Sequence, residues 1–377
     1  MPTPRRSHHK SRRGCAICKA KRIKCDEKRP CSYCAKRRLP CSLALAPTPM
    51  PLALASLPSP GSGTSSSISE MKATRPHVAP PFTSTDFGLF RHFTDFTALA
   101  HADDSASEMV WREAVSDLAT RYPYLLHEVL AIAALHRRTT APEQAAVLER
   151  TAAEHQAKAI PLFREALAAN STETALPLFA CSCLFVPYHF AAAKNASALL
   201  FNEETGSLAE WLGLIQGCAA VTVEYNDTIM QSPLRALLGD LYAPRVQDLG
   251  GGPTDARLVE LGNKLPLTPG CREAYAEVIV KLRVCYYLSD NADSSLNRKN
   301  AALRFPPIMG QRFTEDLASR SPAALIVMAF WCVLLHRVED RWWLKGRVKP
   351  LLLKIGGLVP FEYVHLVEWP MEQVASV

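Results

Sequence analysis

The sequence lacks the marks of a secreted or membrane-spanning chain. Residues 1–10 are charged and contain no apolar run, so we expect no secretory signal. The longest apolar stretches are 323–335, which is shorter than the roughly 20 residues that a span requires, and 174–193, which Pro177 and Pro187 interrupt. We expect both stretches to form core helices, and we expect no membrane span.

Catalytic motifs are also missing. The sequence has no Gly-x-Ser-x-Gly elbow and no phosphate-binding loop, and the glycines at 250–252 precede Pro253, as in a turn. His127 and Glu128 match the start of a zinc-protease motif, but Ala131 stands where the second histidine is needed. We therefore expect that the chain is not an enzyme. An active site assembled from distant residues is the alternative.

Acidic residues are scarce at one end of the chain. The 377 residues include 43 Lys and Arg and 36 Asp and Glu, but residues 1–41 hold 14 of the basic side chains and only 2 of the acidic ones. This head therefore carries +12, and the rest of the chain carries −5. Such a dense basic segment attracts the phosphates of nucleic acid.

Half of the cysteines lie in the same basic head. Six of the 12 fall within 27 residues, and successive members are separated by two, six, five, two and six residues. Without a secretory signal, a reducing compartment and metal ligation are expected rather than disulfides. Zinc takes four ligands in a tetrahedron, so six thiolates suffice for two zinc ions only if two thiolates bridge. The cluster consists of Cys15, Cys18, Cys25, Cys31, Cys34 and Cys41.

The spacing also limits the helix that follows Cys18. Along an unbroken helix Cys18 and Cys25 would lie about 10 Å apart, whereas two sulfurs on one zinc lie about 3.8 Å apart. The helix must therefore end early. This places Lys21 and Arg22 at its C-terminal end, where cations complement the helix dipole.

The cysteine spacing, with the basic run at 19–24 before the third cysteine, resembles that of the fungal binuclear zinc-cluster transcription factors. The resemblance implies a small metal-folded unit of two short helices, in which Cys15 and Cys31 bridge two zinc ions. The other four ligands are then divided in pairs, Cys18 with Cys25 and Cys34 with Cys41.

The same resemblance assigns roles to the basic residues. Lys21 and Arg22 match the pair that reads a CGG-like triplet in the major groove of double-stranded DNA, and Lys19 and Lys24 match phosphate contacts. Two alternatives stay open. The cluster would otherwise be a structural zinc or disulfide module that binds protein, and residues 36–38 would serve as a nuclear-import signal, which is compatible with DNA binding.

Composition divides the rest of the chain. Residues 42–84 contain eight prolines, nine serines and only three charged residues, which predicts a disordered linker and excludes a continuous coiled coil there. We predict a disordered basic arm at 1–9, the zinc cluster at 10–42, the linker at 43–84 and an all-α regulatory domain at 85–377.

From residue 85 onward, apolar residues recur at helical spacing. Four phenylalanines three residues apart, from Phe87 to Phe96, predict one buried helical face. Pro123 suits the first turn of a helix that ends near Arg138, and Ser232 and Ser321, each followed by proline, mark later helix starts. The remaining cysteines lie in apolar surroundings and are predicted to be core residues. They are Cys181, Cys183, Cys218, Cys271, Cys285 and Cys332.

The C-terminal part resembles the regulatory domain of sterol-uptake-control-type zinc-cluster activators, at residues 322–336, 341–346 and 368–370. We therefore predict a nuclear, sequence-specific transcription factor that activates a metabolic or biosynthetic pathway. Without a coiled coil, a homodimer would form through the regulatory domain, which is also the candidate site for a small apolar ligand. The alternative is a lipid- or sterol-responsive binding protein whose basic head serves mainly for nuclear targeting.

Overall fold

The structure is a computed structural model. It describes residues 18–37, except 20, 22, 24, 27, 29 and 30, and residues 83–375, except 203, 240–243, 245, 250 and 251. The chain divides into two compact units, residues 1–78 and 79–377. Residues 43–82 of the predicted linker lie outside the described residues, and Ser84, its last residue, already begins a helix. The finer domain boundaries stay predictions.

The described residues are mainly helical and contain no β-strand. A single antiparallel bridge joins Phe201 and Leu208. The all-α body predicted from the sequence is therefore confirmed. In the first unit, the structure gives bounds for α1, Ser32–Lys36.

The first half of the body contains eight α-helices and two π-helical segments among its described residues. They are α2 Ser84–His92, π1 Phe93–Thr97, α3 Ala98–His101, α4 Ser105–Met109, π2 Val110–Val115, α5 Ser116–Arg121, α6 Pro123–Thr140, α7 Ala145–Ala169, α8 Ala175–Ala192 and α9 Glu210–Glu224. The later helices are α10 Asn226–Met230, α11 Pro253–Lys264, α12 Arg272–Asp290, α13 Ser295–Leu303, α14 Phe305–Ile308, α15 Gln311–Ala318, α16 Pro322–His336, α17 Val348–Gly356 and α18 Glu368–Ala375. Short 3-10 helices connect them at Pro142–Gln144, Thr172–Thr174, Ser197–Leu199, Pro233–Leu237, Val246–Asp248, Pro269–Cys271 and Phe361–Leu366.

The phenylalanine stripe does not form one buried face. Phe93 is buried, but Phe87 and Phe96 are 67% and 58% exposed. Residues three apart drift by about 60° per step on an α-helix, and the wider turn of π1 adds to that drift. The prediction was wrong for this reason, and Thr97 and Ala98 occupy the buried side instead.

Two helices form the centre of the core. In α16, thirteen of the fifteen residues are buried, and α8 is buried on nearly every side, as expected for helices that are apolar all round. The segment Thr172–Ala192 is long and apolar enough to cross a membrane, but 78% of its most apolar window is buried inside the fold. Helices α15 and α16 would meet the same test only as one span, and they are bent by 104°. Both apolar stretches are therefore core helices, as the sequence predicted.

Aromatic side chains link the central helices. Trp211 on α9 lies 5.8 Å from Phe190 on α8 and 6.5 Å from Trp331 on α16, measured between ring centroids. Helix α6 packs against both α7 and α8. Helix α16 packs against α17, and helix α12 packs against α13. Four of the scattered cysteines are buried in this core as predicted, and Cys183 is half-buried. The buried four are Cys181, Cys271, Cys285 and Cys332.

Candidate metal centre and nucleic-acid interface

Four cysteine side chains form a buried cluster in the first unit. Cys18, Cys31 and Cys34 have no exposed surface, and Cys25 is 3% exposed. The sulfurs of Cys18, Cys31 and Cys34 lie within 4.8 Å of one another, and those of Cys18 and Cys31 are 3.7 Å apart. Two thiolates on one tetrahedral zinc lie about 3.8 Å apart, so the distance between the sulfurs of Cys18 and Cys31 fits two ligands of one metal ion.

Cys31 takes part in a second group. Its sulfur also lies within 4.8 Å of the Cys25 sulfur and of a carboxylate oxygen of Asp26. The same thiol is therefore close to all three of the other described cysteines: Cys18, Cys25 and Cys34. A bridging ligand has to occupy such a position.

The Asp26 carboxylate anchors helix α1. The backbone N–H of Ser32 donates to Asp26 Oδ1 at 3.0 Å, and the Ser32 hydroxyl donates to Oδ2. Cys31, the N-cap residue, makes no side-chain cap, so Asp26 supplies the acceptor that the start of the helix needs. The hydroxyl hydrogen bond is the main cause that lowers the pKa of Asp26. Sequence reasoning missed this residue, whose only signal was an acid directly after the third cysteine.

The chain turns soon after Cys18. Residues 18 and 19 are helical, Lys21 lies in a turn, and Ile23 N–H donates to the Cys18 carbonyl at 3.0 Å. The helix therefore ends before Cys25, as the sulfur spacing requires. This turn brings Cys25 back towards the cluster.

These residues fit zinc. Ile23 and Tyr33 are the only apolar side chains that pack against the buried thiols in the described part of this unit. Thiolates are preferred zinc ligands, and a unit with so little apolar surface gains its core and its folding free energy from the metal. Cys15 and Cys41, the other two predicted ligands, lie outside the described residues.

Basic side chains surround the cluster. Lys19 and Lys21, two of the four predicted DNA contacts, are exposed, whereas Arg22 and Lys24 lie outside the described residues. Arg37, which the sequence analysis assigned only to the import signal at 36–38, has its guanidinium over the Tyr33 ring, 4.8 Å from its centroid. Among the described residues of this unit, the further exposed cations are Lys28, Lys36 and Arg37.

Two family profiles match the chain. Residues 13–49 match the fungal Zn(2)-Cys(6) binuclear cluster domain, a range that contains all six predicted ligands. Residues 88–223, from α2 to α9, match the fungal specific transcription factor domain. The two zinc ions predicted from the cysteine spacing agree with the first match.

Three relatives are similar to longer parts of the chain. A Zn(2)-C6 fungal-type transcription factor of Gibberella zeae is 28% identical over 98% of this chain and 87% of that protein. The Zn(2)-C6 fungal-type transcription factor afumD of Aspergillus fumigatus is 30% identical over 58% of this chain and 56% of its own length. Sterol uptake control protein 2 of Saccharomyces cerevisiae is 24% identical over 69% of this chain and 29% of its own length.

The matches, the thiol cluster and the exposed lysines lead to one conclusion. The cluster domain binds two zinc ions and implies DNA binding, and the matched proteins are transcription factors rather than enzymes, as the sequence predicted. The chain contains a fungal Zn(2)-Cys(6) binuclear cluster domain and a fungal specific transcription factor domain, and it is similar over almost its whole length to a Zn(2)-C6 fungal-type transcription factor.

Proposed function

We propose that the head reads a CGG-like triplet in the DNA major groove and that the body regulates transcription as an activator in the nucleus. Lys21 and Arg22 contact base edges in this proposal, and Lys19 and Lys24 contact phosphates. The main support for this proposal is the exposure of Lys19 and Lys21. They lie one and three residues after Cys18, whose thiol is fully buried. The metal cluster thus fixes the backbone from which both lysines project.

The two classes of contact have different energetics. Lysine donors fit the O6 and N7 acceptors of guanine, which only the major groove presents together. Phosphate contacts supply affinity and position but carry no sequence information. Lys19 and Lys21 are only two residues apart, yet the proposal gives them different classes of contact.

The test compares Lys21→Ala with Lys19→Ala in the full-length, zinc-loaded protein. Lys21→Ala should weaken binding to a CGG duplex, relative to a duplex with a scrambled triplet, by about 1–3 kcal/mol. Lys19→Ala should weaken binding to both duplexes alike and lower the slope of log affinity against log salt by about 1. Fluorescence anisotropy over a salt series measures both quantities.

The matched control is Lys354→Ala, which removes an exposed lysine of α17 in the body. It should leave both affinities unchanged. If Lys19→Ala and Lys21→Ala alter the preference for CGG equally, the division into base and phosphate contacts is wrong. If the unaltered protein binds both duplexes alike, sequence-specific reading itself is refuted.

We also propose the division of the ligands: Cys15 and Cys31 bridge the two zinc ions. One ion then takes Cys18 with Cys25, and the other takes Cys34 with Cys41. The nearness of the Cys31 sulfur to the three other described thiols supports the bridging role of Cys31. The metal content of Cys31→Ser tests the bridging role of Cys31.

The two domain matches support nuclear action and activation. The exposed Lys36 and Arg37 support an import signal at 36–38. The homodimer through the body stays a prediction. One observation, an apolar cavity in the body, favours the alternative of a lipid-responsive protein whose head serves mainly for nuclear targeting. In the assay above, such a protein would bind the two duplexes alike.

A further inference from the structure

An apolar cavity of about 320 Å³ lies among α8, α9, α13 and α14 of the body. Its volume is at the lower end of the roughly 300–1,000 Å³ that small-molecule sites occupy. Helix α9 contributes Ile215, Ala219, Thr222 and Val223 to the wall. The last three lie four, seven and eight residues after Ile215, which places all four side chains on one face of the helix. The cavity therefore follows the length of this helix.

Small side chains keep the cavity open. Ser182 and Cys183 on α8 and Ala219 on α9 line it at positions where larger residues would fill the core. Val223, which lines the cavity at one end, is 67% exposed. The cavity therefore reaches the protein surface near the C-terminal end of α9, which gives a ligand a way in.

The lining also carries positive charge. Lys299 and Arg304 are among the lining residues, and no acidic side chain is among those described. Lys299 forms an ion pair with Asp103, whose side chain is fully buried, and Arg341 lies 2.6 Å from the same carboxylate. Arg341 Nε also lies 3.7 Å from the carboxylate of Asp340, which is 75% exposed to solvent. Among the buried groups, therefore, two cations face one carboxylate, and positive charge exceeds negative charge next to the apolar cavity.

Two ring nitrogens near this charge lack acceptors. His101 and Trp111 line the cavity and are 4% and 2% exposed. Their atoms Nδ1 and Nε1 have no hydrogen-bond partner among the described residues. An unsatisfied buried donor destabilises the fold, because it has lost its hydrogen bonds to water without replacement. The oxygen of a bound molecule would satisfy the Trp111 N–H and, in one tautomer, that of His101.

We propose that this cavity binds a small, mostly apolar molecule that carries a carboxylate. The carboxylate lies at the end formed by Lys299, His101 and Trp111, and the apolar part lies along α8 and α9. The charge excess distinguishes this ligand from a neutral lipid of the same length, because cations that outnumber the acids in a low-dielectric site attract an anion strongly. The site does not depend on how the head reads DNA, and its test uses no DNA.

The experiment compares three probes that share one apolar chain: octanoate, octanol and octyltrimethylammonium. Each is titrated into the full-length, zinc-loaded protein, and calorimetry and the thermal midpoint of tryptophan fluorescence measure binding. Octanoate should bind and raise the midpoint, octanol should bind at least tenfold more weakly, and the cation should not bind. Equal binding of octanol and octanoate, or binding of the cation, would overturn the assignment of the carboxylate. Absence of binding by all three would overturn the site.

Two variants locate the binding. Ala219→Phe fills the cavity and should abolish octanoate binding, whereas Ala220→Phe, at an exposed neighbouring position on the same helix, should leave it unchanged. Lys299→Met removes the charge excess and should reduce octanoate affinity at least tenfold while octanol affinity is kept. If the two phenylalanine variants behave alike, the ligand binds elsewhere, and this comparison remains valid even if Lys299→Met fails to fold.

Discussion

The head and the body of this chain are stabilised by different means. In the described part of the head, four cysteines are the only buried residues, whereas the body buries large aromatics such as Trp211, Trp331 and Trp343. The head therefore depends on metal–thiolate bonds, and the body depends on apolar burial. One chain thus contains two sources of folding free energy, and a change in one region should leave the other intact.

The tryptophans make this comparison measurable. All six lie in the body, and residues 1–84 contain none. Tryptophan fluorescence therefore follows the unfolding of the body alone, while zinc content and sequence-specific DNA binding follow the head. The residues are Trp111, Trp211, Trp331, Trp342, Trp343 and Trp369.

The largest expected effect is the loss of the metal. Cys31→Ser should release both zinc ions, because Cys31 is the proposed shared ligand, and structural zinc contributes about 10–16 kcal/mol to the folding of small domains. Specific DNA binding should be lost, and the thermal midpoint of tryptophan fluorescence should stay unchanged. Zinc is measured by mass spectrometry, and a chelator added to the unaltered protein should reproduce the result.

The matched control is Cys332→Ser, the same substitution at a fully buried position of the body. It should lower the fluorescence midpoint and leave two zinc ions bound. A Cys31→Ser protein that retains one zinc ion would contradict the bridging role. A fall in its fluorescence midpoint would contradict the independence of the two regions.

A smaller effect is expected from a core substitution in the body. Trp331 is fully buried on α16, and its Nε1 donates to the Ala302 carbonyl at 2.8 Å. Trp331→Ala should lower the free energy of unfolding by about 3–5 kcal/mol, since it leaves a large cavity. Urea unfolding followed by the remaining tryptophans measures the change. The zinc content should remain at two ions.

The variant Trp331→Phe separates packing from hydrogen bonding. It keeps most of the buried volume but leaves the Ala302 carbonyl without its donor, which should cost about 1–3 kcal/mol. An equal loss in both Trp331 variants would mean that the hydrogen bond, not the volume, dominates. A loss of zinc in either variant would show that the head depends on the body.

The sequence predicts most about the head because metal chemistry fixes distances. The four-ligand requirement and the short separation of sulfurs on one zinc were enough to expect Cys18, Cys25 and Cys31 in one cluster, and an early end to the helix after Cys18. The role of Asp26 was missed because capping by a residue six positions upstream has no local sequence signature.

In the body, the sequence correctly predicted those helix starts that a single proline or capping residue determines. Pro123 begins α6, and the Ser232 hydroxyl accepts from Leu234 N–H at 3.2 Å. Ser321 precedes the first residue of α16, as predicted, but makes no side-chain cap. The π turns and the position of the cavity were not predicted, because tertiary contacts produce them. Lys299, for example, forms an ion pair with Asp103, 196 residues away in the chain.

The smallest expected effect concerns acid, which acts on the two regions through different groups. In the body, burial, and after it the neighbouring His155, lowers the pKa of His127 to about 4 from its ordinary 6.5. Between these two pH values the unfolded chain binds a proton at His127 that the folded body does not bind. The contribution of His127 to the free energy of unfolding is therefore fully present above pH 6.5 and is lost as the pH falls towards 4. The loss should be about 1–3 kcal/mol. In the head, acid protonates the thiolates and releases zinc, which tryptophan fluorescence does not detect.

His127→Gln tests the contribution of the body. The amide can still reach His155, whose Nδ1 lies 3.0 Å from His127 Nδ1, but it does not titrate. Between pH 7 and 4.5, the free energy of unfolding of this variant should fall less steeply than that of the unaltered protein. Some slope should remain, because burial also lowers the pKa of His136 to about 4. The control is His365→Gln, at an exposed position. Its free energy of unfolding should depend on pH as steeply as that of the unaltered protein. If the two variants show equal pH dependence, the acid sensitivity of the body arises elsewhere than at His127.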